Sequence, residues 1–292
     1  MLNLDMALAR VGGFGLYQFV TTLSLALLRN SGMGLWYLFS YFVLAQKYVC
    51  RTDSSAAYMT CDAAEVICPA LANGSFIEYQ VDKTYEYYME NWQQQMGLMC
   101  EPQSKINLLP LIIFMSTGLG GLVCSQLLDK LSRRTSHWIF STGHVLAQAI
   151  IIFVPTFFGR ALGFALMGLF TAKNINCFTW LFEIMVKENK SWANTSINVV
   201  DFFTLIIGGV YFLSGSISWA PLCYGYFVAS VISYITVSLL CTESPKWLLL
   251  QGRREEAIQS LNFIAKVNRS PNRIPEDAMF VECAMGTNLE NN

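Results

Sequence analysis

The sequence predicts an all-α integral membrane protein with six transmembrane helices. Of its 292 residues, 54% are hydrophobic and only 13% are charged, and the mean hydropathy is +0.41. An average soluble chain has about 25% charged residues, so a single soluble core could not bury this much apolar surface. The third observation is that the apolar residues form continuous blocks separated by short polar segments. Lipid is therefore the solvent that these blocks require.

Six of the apolar blocks are long enough to cross the ~30 Å hydrocarbon layer of a bilayer. We predict transmembrane helices at Leu16–Leu44, Ile106–Leu128, Trp138–Phe158, Ala161–Met185, Asn198–Ile217 and Ala220–Cys241. The polar segments between these blocks decide which way the chain crosses the membrane.

Basic residues cluster in three of those segments, and such segments face the cytoplasm. They are Lys130, Arg133 and Arg134, then Lys187 and Lys190, and finally Lys246, Arg253 and Arg254. Residues 1–15 are then a cytoplasmic amphipathic segment. Residues 242–292 form cytoplasmic helices, with an apolar stripe at Ala257, Ile258, Leu261, Ile264 and Ala265, followed by the start of a linker.

The long segment of residues 45–105 falls on the external side. It carries eight acidic residues, Asp53 among them, against four basic ones, and four of the nine cysteines: Cys50, Cys61, Cys68 and Cys100. Disulfides persist on the oxidising side of a membrane, so we expect two here, although the sequence leaves three pairings and free thiols open. Asn73 begins a glycosylation sequon in this loop, whereas the sequons at Asn189, Asn194 and Asn268 lie in predicted cytoplasmic segments.

A glycine-rich helix end followed by charges lies between the second and third predicted helices. Small residues such as Gly120 let helices approach closely, and Asp129 followed by Arg133 and Arg134 can form ion pairs that rearrange when helices move. The segment resembles the major facilitator superfamily signature G-x-L-x-x-G-x-L-x-D-R-x-G-R-R. Gly120, Leu122, Leu127, Asp129, Arg133 and Arg134 fit it, while Ser125 and Ser132 replace glycines and Lys130 replaces an arginine.

Two further segments resemble the organic cation, anion and carnitine transporter family. They are DMALARVGGFGLYQ from Asp5, and ESPKWLLLQGRREEAIQSLNFIAKVN from Glu243. The resemblance implies the N-terminal six-helix bundle of a fold in which two such bundles surround a central cavity. It also implies that Glu183 and Lys190 correspond to a glutamate–arginine pair of the family, with a lysine in place of the arginine. We expect a gating set consisting of Gly120, Asp129, Lys130, Arg133, Arg134, Glu183, Lys190 and Glu243.

Polar residues at membrane depth are costly and are candidates for the solute site. Arg29 with Asn30 lies midway along the first predicted helix, Lys173 with Asn176 midway along the fourth, and Asp201 near the cytoplasmic end of the fifth. The resemblance places the first and fourth helices beside the cavity, where two cations would favour an anionic or zwitterionic solute. Alternatively, Arg29 or Lys173 pairs with Asp201 or with carbonyls and only stabilises the bundle. Trp180 could stack on an organic ring or belong to the apolar lining.

Secondary transport of small organic ions by alternating access is the predicted function. The sequence contains no G-x-x-x-x-G-K-[ST] loop for ATP, and His137 and His144 are too far apart for a helical zinc pair, so we expect no enzyme, cofactor or metal. The expected partners are the bilayer, a small organic ion and a second six-helix bundle, from a missing C-terminal half or from another chain, and no nucleic acid. We expect a plasma-membrane location with both termini cytoplasmic. The alternatives are a truncated six-helix protein that binds or regulates a full-length transporter, and a sugar porter of the same superfamily.

Overall fold

The computed structural model describes residues 2–52, 57–215 and 218–280 of the chain, without the side chain of Ser31. Within these ranges five helical segments are long and apolar enough to cross a membrane: Gln103–Lys130, Arg133–Phe153, Phe157–Glu183, Lys187–Leu213 and Ala220–Leu240. They correspond to the second to sixth predicted spans. Asp53, Ile217 and the end of the predicted linker, residues 281–292, lie outside the described residues.

The chain begins with α1, Leu4–Arg10, and then forms α2, Leu16–Ser31, α3, Met33–Tyr37, and α4, Phe39–Phe42. A single continuous helix over Leu16–Leu44 was therefore a wrong expectation, because the helix is divided at Gly32 and Leu38. Glycine is a poor helix former. At Gly32 the chain also lies against the side chains of His144 and Gln148, where a larger residue would not fit.

The other helices of the bundle follow the predicted blocks with shifted ends. They are α7, Gln103–Lys130; α8, Arg133–Ser136, continued by a π-helical turn at His137–Ser141 into α9, Thr142–Phe153; α10, Phe157–Leu169; α11, Ala172–Glu183; α12, Lys190–Leu213 after a 3₁₀ turn at Lys187–Asn189; and α13, Ala220–Leu240. The third predicted span ends at Phe153 instead of Phe158, because Val154 adopts an extended conformation before Pro155.

Helix packing creates two main cores, one around α2, α11 and α13 and the other around α3, α7, α9 and α10. Around α2, the residues Leu25, Leu28, Trp180, Leu181 and Val237 belong to one buried cluster that joins α2, α11 and α13. Elsewhere α7 lies directly against α10. A β-carbon at Gly120 would be 2.6 Å from the carbonyl oxygen of Leu169, so this glycine permits the close approach that the sequence predicted.

The loop of residues 45–105 contains a three-stranded antiparallel sheet, which an all-α fold did not predict. Its strands β1, Tyr48–Arg51, β2, Met59–Cys61, and β3, Glu78–Val81, lie in the order β2-β1-β3. The helices in this loop are short: a π-helical turn at Ala63–Ile67, α5, Cys68–Ala72, and α6, Trp92–Gln95. Disulfides join Cys50 to Cys61 and Cys68 to Cys100, which confirms two disulfides and selects one of the three pairings. Asn73 is exposed.

Two helices follow α13: α14, Pro245–Leu250, and α15, Arg254–Val267. All five residues of the predicted apolar stripe on α15 are buried. Asn268, just after α15, accepts a hydrogen bond from the backbone N–H of Tyr17 at 2.8 Å and donates to the carbonyl of Val11 at 3.3 Å. The segment after the bundle is thereby attached to the start of α2.

Candidate functional site

An ion pair joins the end of α2 to the middle of α12. Nη1 of Arg29, near the end of α2, is 3.9 Å from Oδ2 of Asp201, and the two side chains are 16% and 22% exposed. The hydroxyl of Tyr37 on α3 donates to the same carboxylate at 3.4 Å. Because α12 begins at Lys190, Asp201 is the middle of this helix instead of lying near its end, as the shorter predicted span had placed it.

Arg29 is held by neighbours on two other sides. Its Nη1 donates to Oδ1 of Asn30 at 3.1 Å, and its guanidinium lies 4.7 Å from the ring centroid of Phe178 on α11. Asn30 in turn donates to the carbonyl of Ile197 on α12 at 3.2 Å. Nε of Arg29 and Oδ1 of Asp201 are buried without a hydrogen-bond partner among the described residues. The pair therefore keeps one free donor and one free acceptor, and we call Arg29, Tyr37, Phe178 and Asp201 the midplane pair site.

Lys173 supports the helix break instead of facing a cavity. It is fully buried, and its Nζ donates to the carbonyl oxygens of Leu28 at 2.7 Å and Arg29 at 3.2 Å. The last carbonyls of a helix lack intrahelical partners and carry a partial negative charge, which a cation stabilises. This is the pairing with carbonyls that the sequence had left as an alternative, and it weakens the argument for an anionic solute from two free cations.

Asn176 and Trp180, which the sequence predicts for the solute cavity, form hydrogen bonds with segments outside the midplane pair site. Asn176 donates to the carbonyl of Arg133 at 3.0 Å, and the indole N–H of Trp180 donates to the carbonyl of Thr242 at 3.1 Å. Both side chains are buried. They connect α11 to α8 and to the end of α13 and have structural roles in this conformation.

A second polar cluster lies where α7 ends and α8 begins. Nε and Nη2 of Arg133 donate to both carboxylate oxygens of Glu183 at 3.0 and 3.1 Å, and these side chains are only 11% and 8% exposed. The backbone N–H groups of Arg133 and Arg134 donate to the carboxylate of Glu243 at 2.9 and 3.3 Å. One network, which we call the loop network, thus joins α8, α11 and the segment after α13.

The remaining residues of the predicted gating set lie outside the loop network. Gly120 packs against α10, nearly three turns before the end of α7. Asp129 and Lys130 are exposed and Lys190 is half-buried. Within the part of the chain that the structure describes, none of these three has an ion-pair partner. The expected ion pair at Asp129 is therefore absent from the described residues, and the carboxylate of Glu183 pairs with Arg133 instead.

Arg160, at the start of α10, is fully buried. It donates to the side-chain oxygen of Gln95 and, at 3.3 Å, to the carbonyl of Ile151. Its guanidinium lies 4.4 Å from the ring centroid of Trp92 and 5.5 Å from that of Trp219. Arg160 therefore attaches the loop of residues 45–105 to the bundle. The sequence signal was an arginine in the short link between two apolar blocks; its aromatic partners were not identifiable.

Electrostatics in the loop stabilise its sheet. Glu78 on β3 accepts hydrogen bonds from the hydroxyl of Tyr58 at 2.6 Å and from Nε of Arg51 on β1 at 2.8 Å. These bonds, chiefly that from Tyr58, hold the pKa of the exposed Glu78 carboxyl below 4.5. The ionised carboxylate thus links two strands whose backbones are already paired.

The helical membrane fold agrees with comparisons to known proteins. The family model "Sugar (and other) transporter" matches residues 62–284. The organic cation/carnitine transporter 2 of Arabidopsis thaliana is 25% identical over 269 residues, which is 88% of this chain and 47% of that protein. Human solute carrier family 22 member 16 is 25% identical over 208 residues, 68% of this chain and 35% of that protein. Mouse solute carrier family 22 member 3 is 23% identical over 228 residues, which is 76% of this chain and 40% of that protein.

This chain spans about half the length, or less, of these curated relatives. The family match itself covers most of the chain and includes the whole loop network, together with Phe178 and Asp201 of the midplane pair site. The chain therefore belongs to the sugar (and other) transporter family of the major facilitator superfamily, as a multi-pass membrane protein similar to organic cation/carnitine transporters and members of solute carrier family 22.

Proposed function

We propose that this chain forms the N-terminal bundle of a secondary transporter, which moves small organic ions by alternating access. The observation that carries the proposal is the midplane pair site, a partly exposed ion pair between the end of α2 and the middle of the membrane-length helix α12. Charged side chains are costly at this depth and mark ion or substrate pathways. The similarity to proteins named organic cation/carnitine transporters supports organic ions over sugars.

The midplane pair site suits a solute that carries charge and an apolar body. Asp201 can accept from an ammonium group through its unpartnered Oδ1, and Arg29 can donate to a carboxylate through its unpartnered Nε. Phe178 and Tyr37 supply aromatic surface next to both charges. Both unpartnered atoms are buried, so a solute group reaches them only when α2 and α12 move apart, and binding at this site is linked to that rearrangement.

The loop network supplies the second requirement of alternating access, a contact that closes one end of the bundle. The midplane pair site lies deeper in the bundle, because Asp201 is eleven residues, or about 16 Å, from Lys190, the first residue of α12. The proposed orientation places the loop network on the cytoplasmic side and the disulfide-bonded loop outside, in keeping with the basic segments near α8 and the cysteines in the loop. Solute binding would then shift the balance between a closed and an open loop network.

Uptake measurements test the proposal directly. A radiolabelled quaternary ammonium ion and a radiolabelled carboxylate are offered to cells that express the 292 residues alone or within the full reading frame. We expect uptake by the full reading frame, and loss of at least 90% of it on Asp201→Asn. Asp277→Asn, an exposed site after α15, is the matched control.

Two results would overturn the proposal. One is uptake that is the same for Asp201→Asn and for the control at equal surface expression. The other is the absence of uptake in both forms, combined with an effect of the chain on a co-expressed relative, which would favour the regulatory alternative.

A further inference from the structure

A cleft outside the midplane pair site lies at the end of the bundle that carries the disulfide-bonded loop. Its volume is about 390 Å³, within the range of small-molecule sites. It lies between the end of α4, the end of α12 and residues 86–89 of the loop. Four aromatic residues and one carboxylate line it: Tyr41, Tyr87, Tyr88, Phe212 and Glu86. We call it the outer aromatic cleft.

The charge of the outer aromatic cleft favours a cation. Among the described residues, Glu86 is the only charged one that lines the cleft, and no described lysine or arginine does. Within the described part of the chain Glu86 forms no ion pair, so its charge is not neutralised by a protein side chain. Aromatic faces attract ammonium groups through the negative potential of the ring, and they repel anions. The eight acidic residues of the loop, against four basic ones, add a field of the same sign.

The two walls of the cleft continue to the midplane pair site. Tyr41 is four residues after Tyr37, whose hydroxyl donates to Asp201. Phe212 is eleven residues after Asp201 on α12, which is three turns and about 16 Å on the same helix face. The rings of Tyr41 and Phe212 stack with their centroids 4.6 Å apart and their planes at 12°. The same two segments of chain therefore form the cleft and hold the carboxylate deeper in the bundle.

We propose that the outer aromatic cleft binds organic ammonium ions from the external solution, ahead of the midplane pair site. The onward passage of the ion rests on the proposed transport function, whereas binding in the cleft does not. Glu86 supplies the counter-charge, and the tyrosine rings supply the faces that surround the ammonium group. The cleft adds a selection step for positive charge that the midplane pair, with no net charge, does not provide.

Equilibrium binding of radiolabelled tetraethylammonium to the purified chain in lipid nanodiscs tests this inference. We expect Glu86→Gln to raise the Kd about 5-fold at low salt, with a smaller effect at 1 M salt. Tyr88→Leu should raise the Kd by a similar factor, while Tyr88→Phe, which keeps the ring, should not. The matched control is Glu65→Gln, which removes the same charge from the same loop outside the cleft.

A photoactivatable quaternary ammonium compound locates the bound ion. Labelling of peptides that contain residues 86–89 or Phe212 is the expected result. Labelling confined to the midplane helices, with a Kd that is insensitive to Glu86→Gln but sensitive to Asp201→Asn, would overturn the outer cleft and leave the transport proposal intact. Labelling at the cleft without any uptake would have the opposite meaning: the cleft would stand and the transport function would fail.

Discussion

Removal of the Glu183 carboxylate should destabilise this protein far more than removal of an equivalent surface carboxylate. In Glu183→Gln, Arg133 loses its counter-charge and at least one of its two bonds to residue 183, at 3.0 and 3.1 Å, because an amide has a single acceptor oxygen; it keeps its bond to the carbonyl of Leu128 at 2.8 Å. The Arg133 side chain is only 11% exposed, so water cannot replace the carboxylate fully. The variant therefore leaves a nearly buried cation without its counter-charge.

The expected magnitude follows from that burial. Removing one partner of a buried ion pair costs about 3–5 kcal/mol; we expect about 3 kcal/mol here, because part of each side chain reaches solvent and one hydrogen bond remains. For a protein of this size about 1 kcal/mol corresponds to about 2 °C in melting temperature, which gives a decrease of about 6 °C. Under the proposed function, the same free energy is a factor of about 100 in the balance between closed and open loop networks.

Thermal unfolding of the purified variants measures this effect. The control is Glu256→Gln, which breaks an ion pair with Arg253 whose side chains are 48% and 49% exposed. Exposed pairs contribute only about 0.2–1 kcal/mol, so the control should move the melting temperature by less than about 2 °C. The double variant Arg133→Gln/Glu183→Gln should recover part of the loss, because the unpaired cation is gone. Equal shifts for Glu183→Gln and the control would refute the reasoning.

Three further measurements test other parts of the structure. Gly120→Ala should reduce the stability by about 1–3 kcal/mol and so lower the melting temperature, because its β-carbon would lie 2.6 Å from the α10 backbone. Gly121→Ala, whose β-carbon meets open space, should leave the melting temperature unchanged. Equal effects would contradict the close approach of α7 and α10. Arg160→Lys loses the planar group that lies over Trp92 and bonds Gln95, so limited proteolysis of the loop should accelerate, and unchanged cleavage would contradict its attachment role. The pKa of Glu78 is lowered in the folded protein, so its stabilisation is fully present above the unfolded pKa and is lost as the pH falls through the folded pKa. The difference in hydrogen exchange of β1 between the protein and Glu78→Gln should therefore shrink on acidification, and a difference that stays constant as the pH falls would contradict the assignment.

Long apolar runs explain why most of the bundle was predictable from sequence. Five of the six predicted spans appear as continuous helical segments, since lipid requires every backbone polar group to be satisfied within the helix. The stripe on α15 was predictable for a related reason, because a period of 3.6 residues places Ile258, Leu261 and Ile264 on one face. In both cases the signal lies in neighbouring residues of the chain.

The features that sequence did not predict depend on residues far apart. The break in the first helix is stabilised by Lys173, whose partner Leu28 is 145 positions away. The burial of Arg160 depends on Trp92 and Trp219, which come from separate segments. The sheet in the loop consists of strands of three or four residues, too short for a clear alternation of polar and apolar positions.

The sign of the solute charge is therefore better argued from the structure than from a count of charges at membrane depth. Lys173 is occupied by helix carbonyls, so it no longer adds a free positive charge. Arg29 and Asp201 form a pair with no net charge and with one unpartnered atom on each side chain, a site that can receive either sign or a zwitterion. Under the proposed function, selection for charge then falls to the entrance, where the described lining of the outer aromatic cleft includes Glu86 and tyrosine faces and no basic residue. We therefore propose that an ammonium group enters first and that a carboxylate on the same solute is accepted only at Arg29.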